Sequence, residues 1–260
     1  MTSEIRQVTW RDSLVRATLL LGIVLAVAWA WAGTGFDPAK LGEGVPRLGA
    51  FLARMVPPDL SIAGTVFRAM VETLQIALLG TAFGAVVSLG FGLLGAANLT
   101  PAWVHQPVKW LMGALRGIPI ILLALMFVSA YGLGPLPGII AIAVHSAGML
   151  GKFYAEAFEA ARIGPLEAIR TTGAAWPQVV RFGVIPQIAP ELARDTLFRF
   201  ELNLRESLVL GLVGAGGIGF YIQLYARSFH YEKVATLTLV VLGMVVLIEQ
   251  ASVLARRRLS

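Results

Sequence analysis

The chain has 260 residues, 57% hydrophobic and 14% charged, with a formal net charge of +6 and no cysteine. Soluble domains carry roughly 25% charged residues, so a water-soluble fold is excluded, and without thiols so are a disulfide framework, thiolate metal centres and haem attachment. The basic residues flank apolar runs, a pattern of membrane topology and not of nucleic-acid binding.

Five apolar runs set the architecture. Ala17 to Phe36, Thr73 to Leu99, Gly117 to Gly151 and Ser207 to Ala226 carry no charge, and Val234 to Ala255 is interrupted only by Glu249. A membrane-spanning helix needs about 20 mostly apolar residues. The 35 residues of Gly117 to Gly151 are too many for one helix, and YGLGPLPG (Tyr131 to Gly138) divides them. The expectation is an all-α polytopic membrane protein of about six spans, with a polar, basic segment 1–16 ahead of a transmembrane domain over 17–260. The first span has a basic lead-in but no convincing small-residue cleavage site ahead of an extracellular domain, so it is expected to be retained and not removed as a signal peptide.

Orientation comes from charge. With the amino terminus inside, the inner segments 1–16, 98–116, 152–206 and the tail from Arg256, Arg257 and Arg258 hold 15 of the 21 Lys and Arg residues. Such an excess marks the cytoplasmic side, which places both termini there and segment 33–70 outside. That outer segment has turn formers at both ends and a short amphipathic helix near Leu48 to Met55. In the second span Gly80, Gly84, Gly90, Gly92 and Gly95 recur at helical spacing, as in a tightly packed bundle helix. Pro119 starts or kinks the third span, and Arg116 anchors it at the inner interface. The fourth span carries His145.

The stretch from Tyr154 to Pro186 breaks the apolar pattern. Tyr154 to Arg162 is acidic and alanine-rich, hence helical; Gly164 and Pro165 break it, and Pro165 is suited to start a second helix. Glu167 is expected in that helix's first turn, where a carboxylate is favoured. Gly173 provides a turn, Pro177 a further helical start, and Pro186 leads back to the membrane. Helix, sharp turn and helix make a rigid knob suited to a cleft on another protein.

Glu167, Ala168, Gly173 and Pro186 resemble the EAA loop of ABC importer permeases, although Ile169 replaces the second alanine, Gly183 stands where isoleucine is favoured and Ile185 where leucine is. Further stretches are similar to the PhnE-type permeases: MVPPD (55–59), ETLQIALLGT (72–81), AAN (96–98), GLGPLPG, HSAGMLGKFYAEAFE (145–159), RFELNLRES (199–207) and VLGLVGAGGIG (209–219). The resemblance runs from about residue 50 to the carboxyl end. It implies a type I ABC importer transmembrane domain in the bacterial inner membrane, moving phosphonate, phosphite or phosphate. The implied partners are a second permease copy, two cytoplasmic ATPase subunits that hold ATP and magnesium, and an extracytoplasmic binding protein. This chain itself would carry no cofactor and no catalytic residue. Glu159, Gly164, Glu167, Ala168, Gly173 and Pro186 would then form the ATPase-coupling loop.

The resemblance also moves the fifth span. Hydropathy places it at Ser207 to Ala226, whereas related importers re-enter the membrane soon after the proline that closes the loop, here from about Glu191 to Val213. Arg199, Glu201, Asn203 and Arg205 would then lie at bilayer depth and must face the bundle interior. Glu201 and Arg205, four apart, can pair on one face, and Arg199 and Asn203 share that spacing. With His145 they are candidates for an anion pathway, since guanidinium forks match tetrahedral oxyanions. VGAGGIG (213–219) fits the GxGxxG spacing without the strand and helix that a nucleotide site requires; Gly214, Gly216, Gly217 and Gly219 are read as close packing or a gate. A passive anion channel or secondary carrier, and a lipid-phosphate enzyme using Glu156, Glu159 and His145, are the competing readings.

Overall fold

The structure, a computed structural model, describes residues 10–258. Residues 1–9 and the side chains of Arg256, Arg257 and Arg258, which contribute to the expected orientation, lie outside the described part. Every regular element in the described residues is helical, and the chain divides into two compact units at Arg54.

In the first unit α1 (Trp10–Thr34) contains an apolar stretch, Leu14–Thr34, long enough to cross a bilayer. Phe36 meets Trp31 edge-on with ring centroids 4.6 Å apart, and α2 (Pro38–Ala53) follows. Asp37 accepts the Ala39 N–H at 2.9 Å, and Pro38 takes the first helical position, where no N–H is needed. The helix starts ten residues before the expected 48–55 segment. Gly42, Gly44, Pro46 and Gly49 lower its intrinsic propensity, which conceals its first half in the sequence.

The second unit begins at Met55. Asp59 accepts the Ser61 N–H at 2.8 Å, and these hydrogen bonds from Ser61 hold its carboxyl below the usual carboxylate range. Its backbone carbonyl accepts the Thr236 hydroxyl at 2.8 Å, tying the start of α3 (Ala63–Gly95) to α11 (Tyr231–Arg258).

The central pair is α3 with α6 (Pro135–Ala160). A Cβ on Gly84 would lie 2.7 Å from Ser146 Cβ, and one on Gly92 would lie 2.6 Å from Tyr154 Cβ. Gly80 packs on Ile142 and Gly95 on Met112, while Gly90 faces open space. Lipid gives helices no hydrophobic reason to associate, so close backbone approach and dispersion must hold them together. Ile76, Leu123, Ala124, Ala141, Ile142, Leu210 and Ala215 fill the core around this pair.

Two expected spans take a different form. α4 (Ala102–Gly117) and α5 (Ile120–Tyr131) meet at 83° across Ile118 and Pro119, whose ring bars a continuous helix. The 12 residues of α5 reach only about 18 Å, against about 30 Å of hydrocarbon, so the third span is half of a bent pair.

The apolar run 207–226 is not one helix either. It contains the end of α9 (Ile185–Gly211), a break, and all but the last residue of the 11-residue α10 (Gly217–Arg227). The backbone at Gly214, Gly216 and Gly217 has φ of 91°, 80° and 71°, which side-chain-bearing residues rarely adopt. Hydropathy registers apolarity and not chain direction, so it reads this break as a span. Among the described residues four helices (α1, α3, α6 and α11) have the length and composition to cross, or five spans if the bent pair counts as one, not the six read from hydropathy. α9 is long enough at 27 residues but carries Glu191, Arg194, Asp195, Arg199, Glu201, Arg205 and Glu206.

Candidate functional site

Positions 199, 203 and 206 recur at four- and seven-residue spacing, so α9 turns them to one face, against α6. Arg199 is only 1% exposed. Its Nε donates to Ser146 Oγ at 3.0 Å, and its Nη1 approaches Met149 Sδ at 3.2 Å. Nη2 donates to Glu206 Oε2 at 2.8 Å and to His145 Nδ1 at 2.7 Å. A guanidinium has no lone pair to offer, so His145 must accept through Nδ1 and carry its proton on Nε2.

Asn203 extends the cluster to α3. Its amide nitrogen donates to Thr81 Oγ1 at 2.7 Å, and Ser146 Oγ lies 2.9 Å from that nitrogen and 3.2 Å from its Oδ1. Arg199 and Asn203 therefore meet through Ser146 and not directly. Among the described residues no buried side-chain nitrogen or oxygen lacks a partner. A buried polar cluster that is fully satisfied fixes one packing register.

Glu201 and Arg205 lie on a different face of α9. They pair at 2.9 Å, and Arg205 reaches Glu249 of α11 at 3.4 Å. The Glu201 side chain is 11% exposed and that of Arg205 is 46% exposed. Sequence reasoning missed Glu206, Ser146, Met149 and Thr81. Glu206 was detectable, because it stands two helical turns after Arg199; the others are uncharged and lie on neighbouring helices.

The glycine break is held from three directions. Gly134 N–H donates to the Gly214 carbonyl at 2.9 Å, Gly217 N–H to Glu72 Oε1 at 3.2 Å, and Ile218 N–H to Thr73 Oγ1 at 2.8 Å. Glu72 thus places its carboxylate at the amino end of α10, where partial positive charge favours it. Glu72, Gly134, Gly216 and Tyr221 border a cavity of about 250 Å³. Gly211 and Gly219 pass each other with backbone against backbone.

The insert is a helix–turn–helix. α6 continues through Tyr154 to Ala160, α7 spans Ile163–Arg170, and α8 spans Trp176–Val179. The break falls at Ala161 and Arg162, ahead of Gly164 and Pro165. Glu167 is the fifth residue of α7, in its second turn and not its first. It is exposed, and its carbonyl accepts the Thr171 N–H at 2.9 Å. The Ala168 carbonyl accepts the Thr171 hydroxyl at 2.8 Å. Gly173, with φ of 78°, turns the chain, Gly164 has open space around its Cα, and Pro186 is the second residue of α9.

Leu166 packs inward among Phe158, Val179, Val180, Val184 and Ile188. A Cβ on Gly183 would lie 3.1 Å from Ile169 Cδ1, so two departures from the loop motif face each other, the larger side chain filling the room left by the smaller. Glu159 stands apart from this surface. Its Oε1 accepts the Ala97 N–H at 2.8 Å and Lys109 Nζ at 2.9 Å, bracing the ends of α3 and α6 against the middle of α4. Glu156 pairs instead with Lys152 at 3.5 Å.

Residues 88–260 match the family described as binding-protein-dependent transport system inner membrane component. The chain is similar to the phosphite transport system permease protein PtxC of Stutzerimonas stutzeri, 37% identical over 95% of this chain and 90% of that protein. It is 39% identical, over 88% of its length, to the phosphate-import permease protein PhnE of Mycolicibacterium smegmatis, of which it spans 43%. The fold matches a chain of the MetNI methionine ABC transporter, solved in inward-facing conformations. The TM-score is 0.69 at 23% identity, over 78% of this chain and 99% of that one. The chain belongs to the binding-protein-dependent transport system inner membrane components, and within them to the PhnE-type permeases.

Proposed function

We propose that this chain is the permease subunit of an ATP-driven importer for a phosphorus oxyanion, of the phosphite, phosphate or phosphonate class. The observation that carries this is the resemblance, over 95% of its length, to a phosphite permease. Two copies form the pathway in the bacterial inner membrane, an extracytoplasmic protein delivers the anion, and two cytoplasmic subunits bind ATP and magnesium. α9 is the crossing that hydropathy does not count: its inner charges, Arg199 with Glu206 and Glu201 with Arg205, are paired, which makes them tolerable at bilayer depth. Both termini and the 154–186 insert then lie in the cytoplasm, and segment 33–70 lies outside.

Arg199, Asn203 and His145 brace the pathway wall, and Glu201 and Arg205 hold α9 to α11. The glycine break serves as a pivot between α9 and α10. The insert is the knob that the ATPases grip. Its inner residues are packed among apolar neighbours, while Glu167, Arg170, Thr172 and Gly173 are exposed.

The test is reconstitution with the cognate ATPases and binding protein in liposomes. Uptake of phosphite, phosphate or methylphosphonate is expected, together with ATP hydrolysis stimulated by the loaded binding protein. Uptake without hydrolysis would mean a secondary carrier. A Gly173→Val variant is expected to insert normally but to lose that stimulation, since a β-branched residue at φ of 78° strains the turn by about 1–2 kcal/mol. Wild-type stimulation in that variant would remove the insert from the coupling role.

A further inference from the structure

We propose that the groove between α4 and α6 is a binding step for the transported oxyanion, a deepening that rests on the importer reading above. On α4, Lys109, Gly113 and Arg116 share one face; on α6, Lys152, Glu156 and Glu159 do. The two helices run antiparallel here. Lys109 meets Glu159 at 2.9 Å, and at the other end the Arg116 backbone nitrogen would be 3.2 Å from a Cβ on Gly148, one turn before Lys152. Between them lies a cavity of about 180 Å³, where a single water needs only about 10–15 Å³.

The charges in this groove are unequally committed. Glu159 is occupied by Lys109 and by the Ala97 N–H. Lys152 and Glu156 pair loosely at 3.5 Å, both about half exposed. The Arg116 guanidinium has no ion-pair or hydrogen-bond partner among the described residues, and it is exposed to the cavity. Three cations against two carboxylates leave the groove net positive, with a free planar fork at the end away from Glu159. A fork of that kind fits two oxygens of a tetrahedral phosphorus oxyanion.

In the topology proposed above, Lys152, Glu156 and Glu159 follow the apolar part of α6 at its cytoplasmic end, so the groove stands at the exit side of the path. The neighbouring acids keep the anion from being trapped, as a pathway requires. Arg199 differs in kind, because its donors are already engaged by Ser146, Met149, His145 and Glu206.

The chain has no cysteine, so Gly113→Cys supplies a unique thiol, and a Cβ there meets nothing within 4 Å. In the intact importer in phosphatidylcholine liposomes, the anionic reagent sulfonatoethyl methanethiosulfonate is expected to label this thiol faster than its aminoethyl counterpart. Arg116→Gln should erase that preference, and inorganic phosphate, but not chloride at equal ionic strength, should slow labelling. Phosphate uptake should fall about tenfold in Arg116→Gln, the loss of one charge-assisted hydrogen bond, and recover in part in Arg116→Lys.

Charge-independent labelling without phosphate protection, together with wild-type uptake by Arg116→Gln, would overturn the groove while leaving the importer reading intact. A wild-type importer that moves no phosphorus oxyanion would instead overturn the reading beneath it. Protection by phosphatidylglycerol in the bilayer, with none from free phosphate, would assign the groove to a lipid headgroup and overturn the transport step.

Discussion

Gly219→Ala is expected to abolish accumulation of folded permease. A Cβ at Gly219 would overlap the Leu208 carbonyl oxygen, and one at Gly211 would lie 2.7 Å from the Gly216 carbonyl, Gly219 Cα and Phe220 N. Overpacking of a core by a methyl or two ordinarily costs about 1–3 kcal/mol, because side chains can shift. Here the atoms in the way are backbone, and no rotamer change relieves the clash. Relief requires α10 to move off α9, which would pull Gly217 and Ile218 from Glu72 and Thr73 and open the core around Leu210 and Ala215. The measurement is the monodisperse fraction and melting temperature of detergent-solubilised protein. Gly90→Ala is the control: that position is open, and alanine favours a helix over glycine by about 1 kcal/mol, so its melt should be unchanged or higher. Equal folded yields for the two variants would contradict the close passage of α9 and α10.

The ease with which each part of this fold is read from sequence follows from what hydropathy measures. α1, α3, α6 and α11 are evident because each contains a long apolar stretch with few charges. α9 is hidden because seven charged residues lower its average, although the spacing of Arg199, Glu201 and Arg205 carries the reason they are tolerated: each has a partner within reach of one or two helical turns. The break at Gly214 to Gly217 is hidden for the opposite cause, since its residues are as apolar as a span and only the repeated glycines indicate a change of direction.

The knob between α6 and α9 is legible from its prolines and glycines, to within about three residues. What the linear motif cannot express is that Ile169 and Gly183 are spatial neighbours, so two departures from the pattern amount to one exchange of volume. The polar cluster is legible only where a charge announces it. Ser146 accepts from Arg199 and contacts Asn203, yet a serine in an apolar helix gives no signal of its own.

Arg199→Met is expected to lower stability by about 3–5 kcal/mol, the cost of removing one partner from a buried ion pair. The loss would leave Glu206 without its counter-charge and His145 Nδ1 and Ser146 Oγ without their strongest donor. The double variant Arg199→Met/Glu206→Gln should recover much of that loss, because it removes both charges together, and the non-additivity of the cycle measures the pair. Arg199→Lys should recover little. An ammonium is a compact point charge and cannot span Ser146, His145 and Glu206 as a planar fork does.

Melting temperature and uptake together decide what Arg199 does. If it braces α6 against α9, both fall together across the series, and the double variant restores both. If it contacts the anion, Arg199→Lys melts as wild type while uptake collapses, and the double variant melts normally but transports nothing. Arg205→Gln provides the scale for a pair that reaches water on one side only: the Arg205 side chain is 46% exposed and that of Glu201 11%, so the expected loss exceeds the roughly 1 kcal/mol of a surface pair but stays below that at Arg199. A larger loss at Arg205 than at Arg199 would reverse the assignment and make the α9–α11 contact the bond that holds the bundle.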